Sequence, residues 1–229
     1  MRASSLLSEG LAVLRKEITS ELRSRVALNA IVLFAVTTLV TVAYQIGPYR
    51  IHEDDRPHLL SALLWIILFF AAMSGLSRVF VKEEDARTGK TLRLAARPGA
   101  VLLGKLLFNL MLTLALETVV VPLYCGLMGL AVRSPGGLAL LLLGGGVALS
   151  ASATIVAAII ARASGSGTLF TILSVPLILP LLVILIQGTG AAVTADGLSP
   201  VLPALRAIVS LAGVTLVASF YLFPVVWND

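Results

Sequence analysis

Long apolar runs make up most of this chain, and short polar segments separate them. Six runs are long enough to cross a bilayer, since a transmembrane helix needs about 20 mostly apolar residues. The predicted spans are residues 26–47, 59–80, 106–132, 138–161, 168–190 and 201–227. The runs are apolar on every face, whereas a transmembrane strand alternates apolar and polar residues. The pattern therefore predicts an all-α polytopic membrane protein with a six-helix domain over 26–229.

Residues 1–25 follow a different pattern. Apolar residues recur there at steps of three and four, which places them on one stripe of a helix. The stripe consists of Leu7, Leu11, Leu14, Ile18 and Leu22. Charged residues such as Glu9, Lys16 and Glu21 fall on the other faces. A stripe directly before a span predicts a cytoplasmic amphipathic helix in the membrane interface; a soluble surface helix is the alternative.

Composition and charge agree with the membrane class. Of the 229 residues, 58% are apolar and 13% are charged, against roughly 45–50% and about 25% in soluble domains. The formal net charge is +5. Most of the 17 Lys and Arg residues fall in segments that lie on one side if the N-terminus is cytoplasmic, which predicts that orientation. The same bias explains the basic charge without a nucleic-acid partner.

The predicted inner loop, residues 81–105, is the most highly charged segment. Its first charged residues are Lys82, Glu83, Glu84, Asp85, Arg87 and Lys90. Acidic residues before basic ones suit a short helix, because carboxylates favour its N-terminal end. Such a helix either binds a partner surface or is a solvated loop, and the residues alone leave both interpretations open.

Residues with catalytic or ligating chemistry are few. Gly89-Lys90-Thr91 has the end of a phosphate-binding loop, but the earlier glycine that this motif needs is replaced by Glu84. We therefore expect any ATPase activity in a partner chain and no catalysis in this one. His52 and His58 of the outer loop are candidate ligands of a metal or of haem iron. With no third ligand beside them, a solvated polar turn is the preferred interpretation, and no metal site is predicted.

Several residues interrupt the apolar pattern within or beside the spans. Glu117 lies about 17 Å into the third span at ~1.5 Å per residue, near mid-membrane. It predicts either a place on a substrate or proton path or a hydrogen bond to a neighbouring helix. We expect Lys105 to extend to the inner membrane surface. Pro122, Pro176 and Pro180 predict helix breaks, so the fifth span is either continuous or re-entrant.

Some of these segments also form a recognisable set. They are Leu63–Trp65, Arg78–Phe80, Glu83–Asp85, Thr88–Gly89, Leu92, Gly104–Asn109, Glu117, Val121–Leu123 and Ser174–Leu182. Together they resemble the haem exporter protein B family, which supplies the permease subunit of the cytochrome c maturation ATP-binding-cassette transporter. Six spans and about 220 residues also match, so the resemblance extends over nearly the whole chain.

The resemblance implies an ABC-2-type permease that pairs with a second copy of itself and with a separate ATPase subunit. The implied ATPase-coupling residues are Lys82, Glu83, Glu84, Asp85, Arg87, Thr88 and Gly89. The other implied partners are a haem-handling membrane subunit, a small accessory membrane subunit and an outer haem chaperone. Haem is the implied cargo, and the lipid bilayer of the bacterial inner membrane is the implied location.

Two other functions fit the same sequence. One is an ABC-2-type permease for a lipid, a drug or a polysaccharide. The other is a membrane scaffold that holds haem-handling partners and transports nothing. In the scaffold, Glu117 would be a packing residue, and its replacement by glutamine would be harmless.

Overall fold

The computed structural model describes residues 5–46, 55–76, 79–80, 83, 89–162 and 167–228. This part of the chain forms eight α-helices and a short 3-10 helix, Ser199–Val201. The α-helices are α1 (Leu6–Ser24), α2 (Val26–Ile46), α3 (Arg56–Leu76), α4 (Gly89–Ala95), α5 (Pro98–Met128), α6 (Pro135–Arg162), α7 (Gly167–Thr194) and α8 (Leu202–Asn228). Six of them, α2, α3 and α5 to α8, are long and apolar enough to cross a membrane. The predicted all-α membrane fold with six spans and an N-terminal helix is confirmed.

The helix of the third span begins earlier than its apolar pattern indicates. α5 starts at Pro98, eight residues before the predicted start at 106, so the predicted inner loop 81–105 is too long at its C-terminal end. Arg97 has extended backbone, and Pro98 occupies the first helical turn, where its missing N–H costs no hydrogen bond. The eight additional helical residues include Lys105, and a charged residue at this position is the reason that the apolar pattern predicts a later start.

The prolines inside the spans do not break their helices. α5 runs continuously through Pro122, and α7 runs continuously through Pro176 and Pro180. The prediction of helix breaks at these positions is therefore wrong for the helices as assigned. Neighbouring helices, hydroxyl side chains and local adjustments can satisfy the carbonyl groups that a proline frees in a membrane helix. The fifth span is a continuous helix, not a re-entrant piece.

Two helices form the centre of the bundle. α3 packs against α2, α5, α6 and α7, and α6 packs against α5, α7 and α8. In the most apolar stretch of each span, 67% of the residues of α3 and of α6 are buried, compared with 22% in α2 and in α8. Buried aromatic residues anchor the centre: Tyr124 of α5 donates a 2.7 Å hydrogen bond to the carbonyl oxygen of Leu60. α2 and α8 therefore lie at the periphery, with their apolar side chains outward.

One buried hydrogen bond between central helices gives a testable prediction. Trp65 Nε1 of α3 donates to Thr189 Oγ1 of α7 over 2.8 Å, and both residues are fully buried. Thr189→Val should lower the stability of the bundle by about 1–3 kcal/mol, because the indole N–H loses its acceptor. Thermal unfolding in detergent, followed by tryptophan fluorescence, measures this loss.

A matched control lies on the same helix. The hydroxyl of Thr194 donates only to the carbonyl oxygen of Gly190, four residues earlier in α7, and Thr194 is exposed. Thr194→Val should leave the unfolding midpoint close to that of the unmodified protein. Equal midpoints for the two variants would show that the bond to Trp65 adds nothing to stability.

Candidate functional site

A group of four charged side chains lies where α1 meets the first turns of α5. Its members, called the charged cluster below, are Lys16, Glu17, Glu83 and Lys105. Lys105 Nζ lies 2.9 Å from Glu17 Oε1 and 3.0 Å from Glu83 Oε2. Lys16 Nζ lies 3.0 Å from the same Glu17 oxygen and also binds Glu83 Oε1. Positive and negative groups alternate around a closed ring that joins three segments of the chain.

Lys105 is fully buried, so the expectation that it extends to the membrane surface is wrong. In addition to the two carboxylates, its ammonium group donates to the carbonyl oxygen of Val79 and lies 4.6 Å from the centre of the Phe80 ring. These groups replace the water that the charge would otherwise need. Glu17 and Glu83 are also buried, with 2% and 5% of their surface exposed.

The cluster perturbs the titration of its two members on α1. Burial would raise the pKa of Glu17, but the charges of Lys105 and Lys16 outweigh burial and hold it below the ordinary value of 4.5. Burial would lower the pKa of Lys16, but its hydrogen bond to Glu83 and the charge of Glu17 raise it above 10.5. Both groups are therefore charged at neutral pH, and the loss of one partner would leave an unpaired buried charge.

Small residues allow α1 to approach α5 closely enough to form the cluster. A Cβ atom added at Gly104 would lie 2.6 Å from Val13 Cβ and 2.7 Å from the carbonyl oxygen of Gly10. One added at Gly10 would lie 3.0 Å from Leu103 Cδ2. Paired glycines bring helix backbones together in membrane proteins in the same way. This contact brings Glu17, one helical turn after Val13 on α1, beside Lys105.

The fully buried face of α1 is not its leucine stripe. The buried residues of α1 are Gly10, Val13, Glu17 and Glu21. By contrast, Leu7, Leu11 and Leu22 are 67%, 57% and 62% exposed. Leu14 and Ile18 of the stripe are half-buried against the core of the bundle. The exposed residues Leu7, Leu11 and Leu22 are therefore the part of the stripe that is available to a membrane interface or to a partner.

A second carboxylate joins α1 to α2. Glu21 Oε1 accepts hydrogen bonds from the backbone N–H groups of Ala27, at 2.7 Å, and Leu28, at 3.0 Å, in the first turn of α2. Acidic side chains stabilise this end of a helix, where N–H groups lack intrahelical acceptors. Arg25 lies between the helices with φ 55°, in the left-handed region, so the chain turns sharply there. Glu21 thus fixes the direction in which α2 leaves α1.

A row of polar residues continues from Lys105 into the apolar part of the bundle. Asn109, Thr113 and Glu117 follow at intervals of four residues on one face of α5 and oppose Thr154, Ser150 and Gly146 of the antiparallel α6. We call these six residues the polar stripe. Asn109 Nδ2 donates to Thr154 Oγ1 over 2.9 Å, and the hydroxyls of Thr113 and Ser150 lie 3.2 Å apart. The stripe holds α5 and α6 in a fixed register.

Glu117, at the inner end of the polar stripe, is buried with only 4% of its surface exposed. Its Oε1 has no hydrogen-bond partner, and no cation within the described ranges pairs with it. The predicted hydrogen bond to a neighbouring helix is not made within the described residues, since the nearby hydroxyls of Ser150 and Thr154 bind Thr113 and Asn109. An ionised carboxylate at the centre of a bilayer costs roughly 2.5–3.5 kcal/mol on insertion scales.

The two histidines that the sequence singled out belong to the opposite end of the bundle or to the segment before it. His58 is exposed near the start of α3 and lies close to Gly190 of α7, while His52 lies outside the described residues. No group of three His, Cys, Asp or Glu residues suited to a metal occurs among the residues with assigned positions. Arg56 Nη2 donates to the carbonyl oxygens of Met128, at 3.1 Å, and Gly129, at 3.3 Å, where it satisfies the C-terminal end of α5.

The predicted coupling residues are only partly described. Glu83 belongs to the charged cluster, and Gly89 is the first residue of α4. Lys82, Glu84, Asp85, Arg87 and Thr88 lie outside the described residues. Sequence reasoning missed the pairing of Glu17 with both Lys16 and Lys105. The available signal was the four-residue period Lys105, Asn109, Thr113 and Glu117, which marks a polar face that needs partners.

Comparison with known families shows to which family the chain belongs. The sequence profile of the CcmB protein family matches residues 9–225, which include both the charged cluster and the polar stripe. A comparison with curated proteins gives no match. The matched family is that of haem exporter protein B, so the predicted resemblance is confirmed. The chain belongs to the CcmB protein family and is a multi-pass haem exporter membrane subunit of cytochrome c maturation.

Proposed function

We propose that this chain is the permease subunit of an ATP-binding-cassette complex in the bacterial inner membrane, with a cytoplasmic N-terminus. A separate ATPase subunit acts on the segment 81–98 and on α1. Its cycle drives either haem export or the release of a haem-loaded outer chaperone. The charged cluster carries this proposal, because its ring of ion pairs connects Glu83, within the contacted segment, to α1 and to a membrane-spanning helix.

The cluster is suited to transmit a displacement. Glu83 binds Lys105 of α5 and Lys16 of α1, so a movement of Glu83 acts on both helices at once. A bound partner shifts a two-state equilibrium only by its difference in affinity for the two states. The ATPase must therefore bind the segment 81–98 differently with and without nucleotide, and the buried ion pairs pass that difference to the third span.

The peripheral helices offer surfaces for the remaining partners. α2 and α8 have outward apolar side chains, including Val36 and Val40 of α2 and Val214 and Val217 of α8. Lipid, a second copy of the chain and the haem-handling and accessory membrane subunits are the proposed occupants of these surfaces. Haem is proposed as the cargo of the complex.

The test is an alanine substitution of the acidic residues in the contacted segment. In Glu83→Ala/Glu84→Ala/Asp85→Ala, the ATPase subunit should still hydrolyse ATP, while cytochrome c maturation should fall at least tenfold. Maturation is measured as covalent haem on a reporter cytochrome, and hydrolysis as phosphate release by the complex purified through a tag on this chain. Asp196→Ala is the control, because Asp196 is an exposed acidic residue at the other end of the bundle.

The same purification separates the alternatives. Normal maturation in the triple variant would contradict the coupling role of the segment. Recovery of haem-handling proteins without any ATP-hydrolysing subunit would favour the scaffold. An ATPase complex that supports no cytochrome maturation would favour a permease for another substrate.

A further inference from the structure

Glu117 has a buried carboxyl group that plays no part in the proposed coupling to an ATPase. Its side chain lies against Gly146 of α6, since a Cβ atom added there would be 3.4 Å from Oε1 and 3.5 Å from Oε2. The carboxyl group of Glu117 therefore lies at van der Waals distance from the side-chain position of residue 146. The group is 96% buried, and Oε1 accepts no hydrogen bond. A carboxyl group in such a place lacks both the water and the donors that stabilise a carboxylate.

We infer that Glu117 and Gly146 form a proton-binding site at mid-membrane, in which the carboxyl group holds a proton while α5 and α6 are packed together. The ligand is a proton because a metal cation needs several ligating side chains, and Glu117 belongs to no group of three His, Cys, Asp or Glu residues within the described ranges. The site is separate from the coupling to an ATPase, so it can be tested on this chain alone.

Within the described residues, the surrounding helices supply no charge that would change this conclusion. α6 presents Gly146 to the carboxyl group, and the charged residues of α1 lie near Lys105, about 18 Å away at ~1.5 Å per residue. The other titratable residues on helices packed against α5 are at helix ends or exposed. They are Tyr44 of α2, Arg56 and His58 of α3, Arg162 of α6, and Arg206 and Tyr221 of α8.

The polar stripe gives the site a direction of access. Between Glu117 and Lys105, α5 carries the polar side chains of Thr113 and Asn109. In the other direction, the next residue on that face is Val121, which is buried in the apolar core. Hydroxyl and amide groups can relay hydrogen bonds, whereas valine cannot. Protons should therefore reach Glu117 from the end of the bundle that carries the charged cluster.

The experiment uses a hydrophobic carbodiimide, which reacts with protonated carboxyl groups in apolar surroundings. The purified full chain in lipid vesicles is labelled at neutral pH and digested, and the modified residues are identified by mass spectrometry. We expect an adduct at Glu117 and none at Glu17, which is equally buried but ion-paired. Absence of an adduct at Glu117 under conditions that label a control peptide carboxyl group would overturn the inference.

Two further measurements complete the test. Infrared spectra should contain the carbonyl stretch of a protonated carboxylic acid that disappears in Glu117→Gln, and an unchanged spectrum would contradict the inference. In sealed vesicles of known orientation, labelling should decrease when the pH is raised on the Lys105 side and not when it is raised on the opposite side. The reverse dependence would exclude access along the polar stripe.

Discussion

Lys105→Met is expected to release α1 from the bundle. The substitution keeps most of the apolar length of the side chain but removes the fully buried cation of the cluster, which binds both Glu17 and Glu83. Removing one partner of a buried ion pair typically costs about 3–5 kcal/mol, because the remaining charge is uncompensated. Hydrogen exchange of the α1 amides, measured by mass spectrometry, should report a faster opening of this helix than in the unmodified protein.

A second substitution should restore part of the loss. In Lys105→Met/Glu17→Gln, the remaining charged members are Lys16 and Glu83, which pair with each other. We therefore expect the double variant to protect α1 better than Lys105→Met alone. Residues that share a network give non-additive effects of this kind, of about 0.5–3 kcal/mol. Strict additivity of the two single changes would show that the ring does not act as a unit.

Arg15→Ala is the matched control for the cluster. Arg15 is a basic residue of the same helix, next to Lys16, but it is exposed and forms no ion pair with any described residue. Substitutions at such positions usually change stability by less than about 0.5 kcal/mol. Loss of protection in Arg15→Ala as large as in Lys105→Met would point to the net charge of α1 as the cause, not to the cluster.

The docking of α1 should also depend on pH in a predictable direction. Glu17 has a lowered pKa, so its contribution is complete above 4.5 and is lost as the pH falls through the lower value of the docked state. Lys16 has a raised pKa, so its contribution is complete below 10.5 and is lost as the pH rises through the higher value. Protection of α1 should therefore be greatest between these limits, and Glu17→Gln should reduce the loss in acid.

Gly104→Ala should separate α1 from α5 by steric overlap. Its new Cβ would lie 2.6 Å from Val13 Cβ and 2.7 Å from the carbonyl oxygen of Gly10, and the second of these atoms belongs to the backbone and cannot rotate away. Overpacking of this kind typically costs about 1–3 kcal/mol. The measurement is again α1 hydrogen exchange, together with cytochrome c maturation, which should fall if the cluster transmits the ATPase movement.

The control for this prediction lies on the same helix. A Cβ at Gly126 of α5 would meet no atom within 4 Å, so Gly126→Ala should be neutral or stabilising, by up to about 1 kcal/mol from helix propensity. Val13→Ala in the Gly104→Ala background should recover only part of the contact, because it removes the Cγ atoms of Val13 but leaves the overlaps with its Cβ and with the Gly10 carbonyl. Full protection of α1 in Gly104→Ala would show that the helices can shift without loss.

The fold follows from the sequence because the number and length of apolar runs are set by bilayer thickness. That rule identifies α2, α3 and α5 to α8, but it fails at the start of α5, since Lys105 is a helical residue with internal partners. It also fails for the helix breaks, because whether Pro176 interrupts a helix depends on the surrounding packing. Hydropathy predicts whether a residue favours lipid or water, but it does not predict which side chains will surround that residue.

The candidate site was less accessible from sequence for the same reason. Glu83 and Glu117 were recognised as unusual, but their surroundings depend on pairings across 67 and 29 residues of chain, with Lys16 and Gly146 respectively. Glu17 was hidden because it lies on a helix whose leucine stripe suggested a different buried face. Charges that pair across long stretches of chain leave no pattern in the local sequence. The polar residues of α5 recur every four residues, and that period is visible in the sequence.

The two glutamates of α1 have a mechanical consequence. Glu17 binds α1 to α5 near its middle, and Glu21 binds its end to the first amides of α2. α1 is therefore attached at two points to two different transmembrane helices, α5 and α2. A torque applied to α1 would tilt both helices together, so the first and third spans should move together and not independently.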